Sequence, residues 1–272
     1  MLVVCNGMIR AGSTLQYNLA RSLVERSGVG RGEGFLLGRE DGFARALAEW
    51  AQDSAHHVLK MHHIHAAVVG HVTAGRGRIC YVYRDIRDVA VSAKRKWTYD
   101  EDRLLEALDH AVKVYYQLRA VEPVLWQRYE DLMRDLGPAT AALAAFLGID
   151  LPASEIEQIA RECSIEAVET VADRYTAADH VVHFLNRCHA RLPQRAKAIL
   201  HRTGVWWLLK RGGVLRPVYD PRTLLHPDHI SPSKGAIGIW RTALSAEEIR
   251  LLSTRYAAWI RDAAYELDGP RT

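Results

Sequence analysis

The chain has 272 residues, 49% of them hydrophobic and a quarter charged, with a formal net charge of +4 and a pI near 8.9. That length suits one large α/β domain or a domain with a small appendage, and the mildly basic balance suits an anionic small ligand better than a nucleic-acid track. There is no basic run, no CxxC pair among Cys5, Cys80, Cys163 and Cys188, and no apolar run of about 18 residues that would span a bilayer, so we expect a cytoplasmic protein with buried, reduced cysteines and no membrane span.

Leu2–Cys5 is a short apolar run rich in β-branched residues and reads as a buried strand. Asn6–Gly12 follows as a glycine-bounded loop, and Ser13 and Thr14 open a helix with Leu15, Leu19 and Leu23 on one face. Gly28–Gly42 is glycine-rich and charged and reads as a loop bordering a site. Then come a helix over Phe43–Gln52, a strand over His57–Met61, a helix over Ile64–Ala74, a strand over Ile79–Tyr83 and helices from Asp85 to Trp97 and from Glu101 to Val121. Val124–Tyr129 reads as a further strand and Leu132–Leu147 as a helix. Strand and helix in alternation imply a parallel sheet covered on both faces. Beyond Pro152 strands become scarce: Glu155–Arg174 reads as helical, and Tyr175–His229 as irregular with helical pieces near Leu192–His201 and an apolar, basic-edged Trp206–Leu209 patch, expected first to pack on the core, with an apolar acceptor and a membrane surface or partner subunit as the alternatives. Ser245–Leu267 reads as a C-terminal helix opened by a capping box at Ser245 and Glu248.

Three separated stretches can hold anions. In the first, strand, glycine loop and helix N-terminus form a cradle, because the first helical N–H groups lack intrahelical partners and the macrodipole is positive there. Gly7 and Gly12 have the separation of a Walker A loop, but Ser13 stands where that loop has its lysine, and the nearest cation is Arg10. In the second, Arg84 sits at the C-terminal end of a central strand, where open α/β sheets place ligands, and Ser92 lies two turns into the next helix; Arg84 can equally pair with Asp85 or Asp88. In the third, Ser233-Lys234-Gly235-Ala236-Ile237-Gly238-Ile239-Trp240-Arg241 combines a cation, two glycines and an anchoring tryptophan.

Together these stretches resemble the soluble sulfotransferases that use 3′-phosphoadenosine-5′-phosphosulfate (PAPS). Arg10-Ala11-Gly12-Ser13-Thr14 looks like their 5′-phosphosulfate loop, Tyr83–Asp88 with Ser92 like their 3′-phosphate motif, and Lys234-Gly235 with Gly238 and Trp240 like their C-terminal phosphate loop. Lys60-Met61-His62 is similar to their Lys-Thr-His stretch and Tyr129-Glu130-Asp131-Leu132 to their Tyr-Glu-Asp-Leu segment. The likeness covers about residues 1–150 and 230–265; residues 153–229 align with nothing in it, Arg10 replaces the usual lysine, and Leu15 stands where a tryptophan often follows.

The resemblance implies an α/β fold with a P-loop-like central parallel β-sheet flanked by helices on both faces, plus a largely helical or irregular C-terminal insertion, all within one 1–272 domain. It implies in-line transfer of a sulfuryl group from PAPS to a small-molecule or glycan hydroxyl, leaving 3′-phosphoadenosine-5′-phosphate (PAP). Arg10, Ala11, Gly12, Ser13 and Thr14 would hold the 5′ end; Arg84, Ser92, Lys234 and Gly235 the 3′-phosphate; Lys60 would add charge at the transferring group. A histidine would be the general base: His62 by the family match, with His63 and His65 close by. No metal is required, and the six histidines from His56 to His71 show no HExxH or Cys/His ligand spacing. The rival readings are a P-loop small-molecule kinase and a nucleotide-binding scaffold without turnover. Acceptor and adenine-stacking group stay open, as does assembly into a homo-oligomer.

Overall fold

The computed structural model describes residues 1–38, 42–97, 99–172, 174–212, 218–226, 230 and 234–267. Readings that fall on 39–41, 173, 213–217, 227–229 and 231–233, Ser233 included, lie outside the described residues. The chain divides into two compact units, Met1–Ser164 with Ser233–Thr272, and Ile165–Pro232.

In the larger unit five parallel strands form one sheet in the order β2-β3-β1-β4-β5. They are β1 (Leu2–Gly7), β2 (Gly30–Phe35), β3 (His56–Met61), β4 (Gly77–Tyr83) and β5 (Val124–Arg128). β1 is central, with Cys5 opposite Lys60 of β3 and Cys80 of β4. Burial on both faces explains its unbroken apolar run. Leu2 and Val4 join the core under helices α2 (Phe43–Gln52), α3 (Ala66–Thr73), α4 (Ile86–Trp97) and α5 (Glu101–Leu118). The opposite face is covered by α1 (Ser13–Arg26), which packs on β2, β3 and α7 (Leu136–Leu147). α6 (Tyr129–Arg134) precedes α7, and α8 (Ala153–Glu162) follows it.

The smaller unit holds α9 (Ile165–Ala172), α10 (Ala177–Arg191), α11 (Gln194–Arg202) and α12 (Val205–Arg211). Thr176 and Asp179 close a capping box at the start of α10, and Val182, Val218 and Leu225 are buried. The chain then returns to the larger unit with α13 (Trp240–Ala243), α14 (Ala246–Arg255) and α15 (Ala257–Asp262), whose Trp259 and Ile260 enter the same core as Leu108 and Tyr115.

Several expectations need correction. Gly28–Gly42 is not all loop, since it contains the edge strand β2. Its sequence, GRGEGF, has neither alternation nor β-branched residues, so nothing local signals a strand. Pairing with β3 and close packing create it: a Cβ on Gly32 would lie 2.6 Å from the Tyr17 hydroxyl. Tyr175–His229 is more helical than irregular, because α10 and α11 start at a capping box and at Pro193 and make their own packing. Three long helices are each two: α6 and α7 break at Asp135, whose side chain caps Gly137; α8 and α9 break at Cys163 and Ser164; α14 and α15 break at Tyr256. Cys188 is exposed, whereas Cys5, Cys80 and Cys163 are buried and free.

Candidate functional site

β1 leads to the left-hand edge strand through α1, and β4 leads to the right-hand edge strand, so the sheet changes direction between them, the position where open α/β sheets leave a crevice at the strand ends. Gly7 ends β1 there. A Cβ on it would lie 2.6 Å from Val82 Cγ1, so only glycine lets β1 leave the sheet so close to β4. The Met8 amide then donates to Val82 O at 3.0 Å and the Ala11 amide to Met8 O at 3.2 Å, closing a tight turn. Arg10 and Gly12 take the left-handed conformation, with φ of 59° and 87°. The Gly12 position has a second constraint, the Tyr129 ring, which a Cβ would approach to 2.9 Å. α1 starts at Ser13 with no side-chain cap, which leaves its first amides for an anion. Ser13 is buried and Thr14 half-buried at that terminus.

Arg84, at the end of β4, is the hub. It is 5% exposed, and its Nη2 donates to Ala236 O at 2.7 Å while Nη1 reaches Arg10 O at 3.4 Å. Its guanidinium lies 4.3 Å over the Tyr129 ring, and the Tyr129 hydroxyl donates to Gly235 O at 3.1 Å. Of the two carboxylates open to Arg84, it stands 3.5 Å from Asp88 Oδ2, and Asp85 instead takes a bidentate pair from Arg87 at 3.0 and 2.8 Å. Asp88, fully buried, also accepts from the amides of Gly238 at 2.7 Å and Trp240 at 3.0 Å. Burial pushes its carboxyl above the usual range, against the pull of Arg84 and the two amides.

The third stretch is therefore pinned to the second by Asp88, Arg84 and Tyr129. Within it Lys234, Gly235 and Gly238 are left-handed, with φ of 45°, 75° and 72°, and Lys234 is exposed. Ser92 belongs to the same neighbourhood, but its hydroxyl accepts from Arg10 Nε at 3.0 Å and not from Arg84. Burial and then the neighbouring Arg84 lower the pKa of Arg10. Two like charges this close mark a place where an anion would be strongly favoured.

Lys60 and His62 form the other half of the site, at the end of β3. Gly7 O can only accept, so His62 Nδ1, 3.1 Å away, carries the proton and donates to it. That fixes Nε2 as the lone pair, which accepts from Lys60 Nζ at 3.3 Å. Burial, then Lys60, holds His62 far below the usual imidazole range, near 3. Lys60 is 8% exposed and lies 5.0 Å from the centre of the Phe35 ring; burial, then Arg10, lowers it to about 8. His63 is exposed and lies 4.6 Å from the His110 ring, while His65 caps α3 by accepting from the Ala67 amide. No group of three or more His, Cys, Asp or Glu suited to a metal ion occurs among the described residues.

The structure thus brings Arg10, Ala11, Gly12, Ser13, Arg84, Ser92 and Gly235 together at the C-terminal ends of β1 and β4, and sets Lys60 and His62 beside them at the end of β3. Sequence reasoning offered Asp88 as a partner of Arg84 but missed its hold on the last loop and the part played by Tyr129; the amide partners of Asp88 lie about 150 residues away and left no signal.

A family model described as a sulfotransferase domain matches residues 39–190, more than half of the chain. Among solved structures, mouse sulfotransferase SULT7A1 complexed with PAP is 16% identical with a TM-score of 0.57, over 96% of this chain and 84% of that one. Retinol dehydratase in complex with androsterone and the inactive cofactor PAP is 14% identical with a TM-score of 0.55, over 100% and 83%. Retinol dehydratase with retinol and PAP is 16% identical with a TM-score of 0.53, over 99% and 83%. At these identities the structural likeness carries the fold, a parallel five-stranded sheet between helices. The family match, over more than half of the chain, carries the identity: the chain belongs to the sulfotransferase family, an enzyme class that moves sulfuryl groups.

Proposed function

We propose that the chain transfers the sulfuryl group of PAPS to a hydroxyl acceptor, in line, with His62 as general base. The observation that carries this reading is the hub at Arg84, which bonds the backbone of both the first loop and the last one. An adenosine donor with phosphate at both ends needs separate anion grips held at a fixed spacing. Arg10, with the Ser13 and Thr14 ends of α1, serves the 5′ end; Arg84, Ser92, Lys234 and Gly235 serve the 3′-phosphate. Charge-assisted contacts are each worth about 1.5–3 kcal/mol, so four or five support micromolar binding after the ordering cost.

In the transfer the acceptor oxygen forms a bond to sulfur while the bridging S–O bond breaks, and PAP leaves with that electron pair. The acceptor proton goes to His62 Nε2, the nitrogen that the Gly7 contact keeps unprotonated. Lys60 occupies that nitrogen in the free protein. A donor sulfonate offers Lys60 a better partner, and its departure opens Nε2 to the acceptor. Arg10 and Lys60 then face the charge that develops on the bridging and equatorial oxygens. The buried, unpaired cysteines agree with a cytoplasmic setting; among the described residues no helix is long and apolar enough to cross a membrane.

The test is equilibrium binding of PAP and of ATP with Mg²⁺, followed by transfer of radiolabel from PAPS onto a panel of alcohols, phenols and sugars. PAP binding and label transfer are expected. Preference for ATP with Mg²⁺ would assign the site to a kinase, and tight PAP binding with no transfer to any acceptor would assign it to a scaffold.

A further inference from the structure

The smaller unit turns an apolar helix face outward. On α10, Val181, Phe184, Leu185 and Cys188 stand at i, i+3, i+4 and i+7, the spacing of a core-facing stripe, yet all four are exposed, Phe184 at 62%. The unit's own packing uses the other side of the helix: Val182 is buried, His183 stacks on His226, and His189 stacks on Trp206 at 3.5 Å. Ile199 of α11 and Trp207 and Leu208 of α12 are also more than half exposed. The Trp206–Leu209 patch therefore does not pack wholly on a core: Trp206 is taken up by imidazoles and its two successors are left out. Single exposed apolar residues are ordinary, but six large ones lie within this short stretch, a density that marks an interaction surface.

Charge says what kind. Residues 180–219 contain eight Lys or Arg and no Asp or Glu, whereas the whole chain has 36 basic residues against 32 acidic ones. Arg195, Arg202 and Arg211 are exposed, and the Arg211 guanidinium lies 4.9 Å from the Trp207 ring centre. Guanidinium beside exposed indole is the composition of an interfacial anchor, apolar at one end and cationic at the other. A second copy of this chain would bring the same positive excess against itself. We propose that α10, α11 and α12 dock on an anionic lipid bilayer, the exposed Phe, Trp, Leu, Ile and Val side chains entering the headgroup boundary and the arginines pairing with lipid phosphate and carboxylate. The chain lies on the membrane and does not span it.

The experiment is cosedimentation of the full chain with phosphatidylcholine vesicles and with vesicles one-third phosphatidylserine, at low and high salt. Binding is expected on the anionic vesicles, weakening as salt rises. Near such a surface each Lys or Arg is worth roughly fivefold in partitioning, so the triple variant Arg195→Gln/Arg202→Gln/Arg211→Gln loses about a hundredfold. Phe184→Ser and the pair Trp207→Ser/Leu208→Ser lose binding at either salt. Far-UV circular dichroism and the melting temperature, unchanged in these surface variants, show that folding is intact; Phe184→Ser alone suffices if a multiple variant unfolds. Absence of binding to anionic vesicles overturns the proposal, as does binding that ignores Phe184→Ser. A concentration-dependent dimer dispersed by Phe184→Ser, seen by light scattering, overturns it in favour of a second copy.

Discussion

Asp88→Asn tests whether the last loop is held by the helix after β4. The Asp88 carboxylate accepts from two amides, at 2.7 Å from Gly238 and 3.0 Å from Trp240, in full burial. Asparagine keeps one carbonyl oxygen and turns an NH₂ toward the other amide, so one bond is lost and one buried N–H is left without an acceptor. A hydrogen bond to a charged group is worth about 1.5–3 kcal/mol, and an orphaned buried donor costs about 1–3 kcal/mol. The remaining bond also weakens with the charge gone. The expected loss is about 2–4 kcal/mol, a large share of a typical stability of about 5–15 kcal/mol. Opposing this, Asp88 competes with an incoming phosphate for Arg84 from 3.5 Å, and its neutralisation frees that arginine. Loop loosening wins, because Asp88 supplies two of the hydrogen bonds, beside those of Arg84 and Tyr129, that hold the loop carrying Gly235 and Lys234 at the site. Denaturant titration followed by near-UV circular dichroism reads the event through Trp240, buried under the Arg87 guanidinium at 3.8 Å. PAP affinity should fall about tenfold or more, following the tenfold-per-1.4 kcal/mol relation. A variant with unchanged midpoint and unchanged PAP affinity would refute the anchoring role.

Three further outcomes follow from the site. His62→Ala should cut turnover by about 10²–10⁴-fold while leaving PAP affinity within a factor of a few; a folded variant with near-normal turnover would remove His62 as the base. Lys60 is cationic below its value of about 8 and loses its proton as pH rises through it, so kcat/KM should fall on the alkaline side of pH 8. Lys60→Arg keeps the charge and should abolish that limb; a limb of the same pH in the variant assigns it to another group. Arg84→Lys removes the planar fork and should weaken PAP by about 1.5–3 kcal/mol, more than it weakens a nucleotide lacking the 3′-phosphate. Equal losses on both nucleotides, measured by calorimetry, would move Arg84 away from the 3′ end.

The parts of the fold with a local cause were legible in the sequence. Val3, Val4, Val58 and Ile79 announce strands buried on both faces, and the Ser245 and Glu248 capping box announces α14. β2 was not legible, because a glycine run becomes a strand only when Tyr17 and Arg21 crowd it and β3 offers its edge. The same division holds at the site. Gly12, Arg84 and His62 carry their chemistry in residue type and position relative to strand ends. Asp88 and Tyr129 act on backbone groups of residues more than a hundred positions away, and the contact of Ser92 with Arg10 joins two motifs that the family resemblance assigned to different ends of the ligand. The outward stripe of α10 was hidden for the opposite reason: its periodicity is that of any core helix, and only exposure separates the two.

The smaller unit is an insertion, since the chain leaves the larger one at Ser164 and re-enters it at Ser233. Closing a longer excursion costs little, about 0.6 kcal/mol for each doubling of its length. The stretch between those two crossings is therefore free to lengthen or shorten over evolutionary time, while Arg84 goes on tying the first loop to the last.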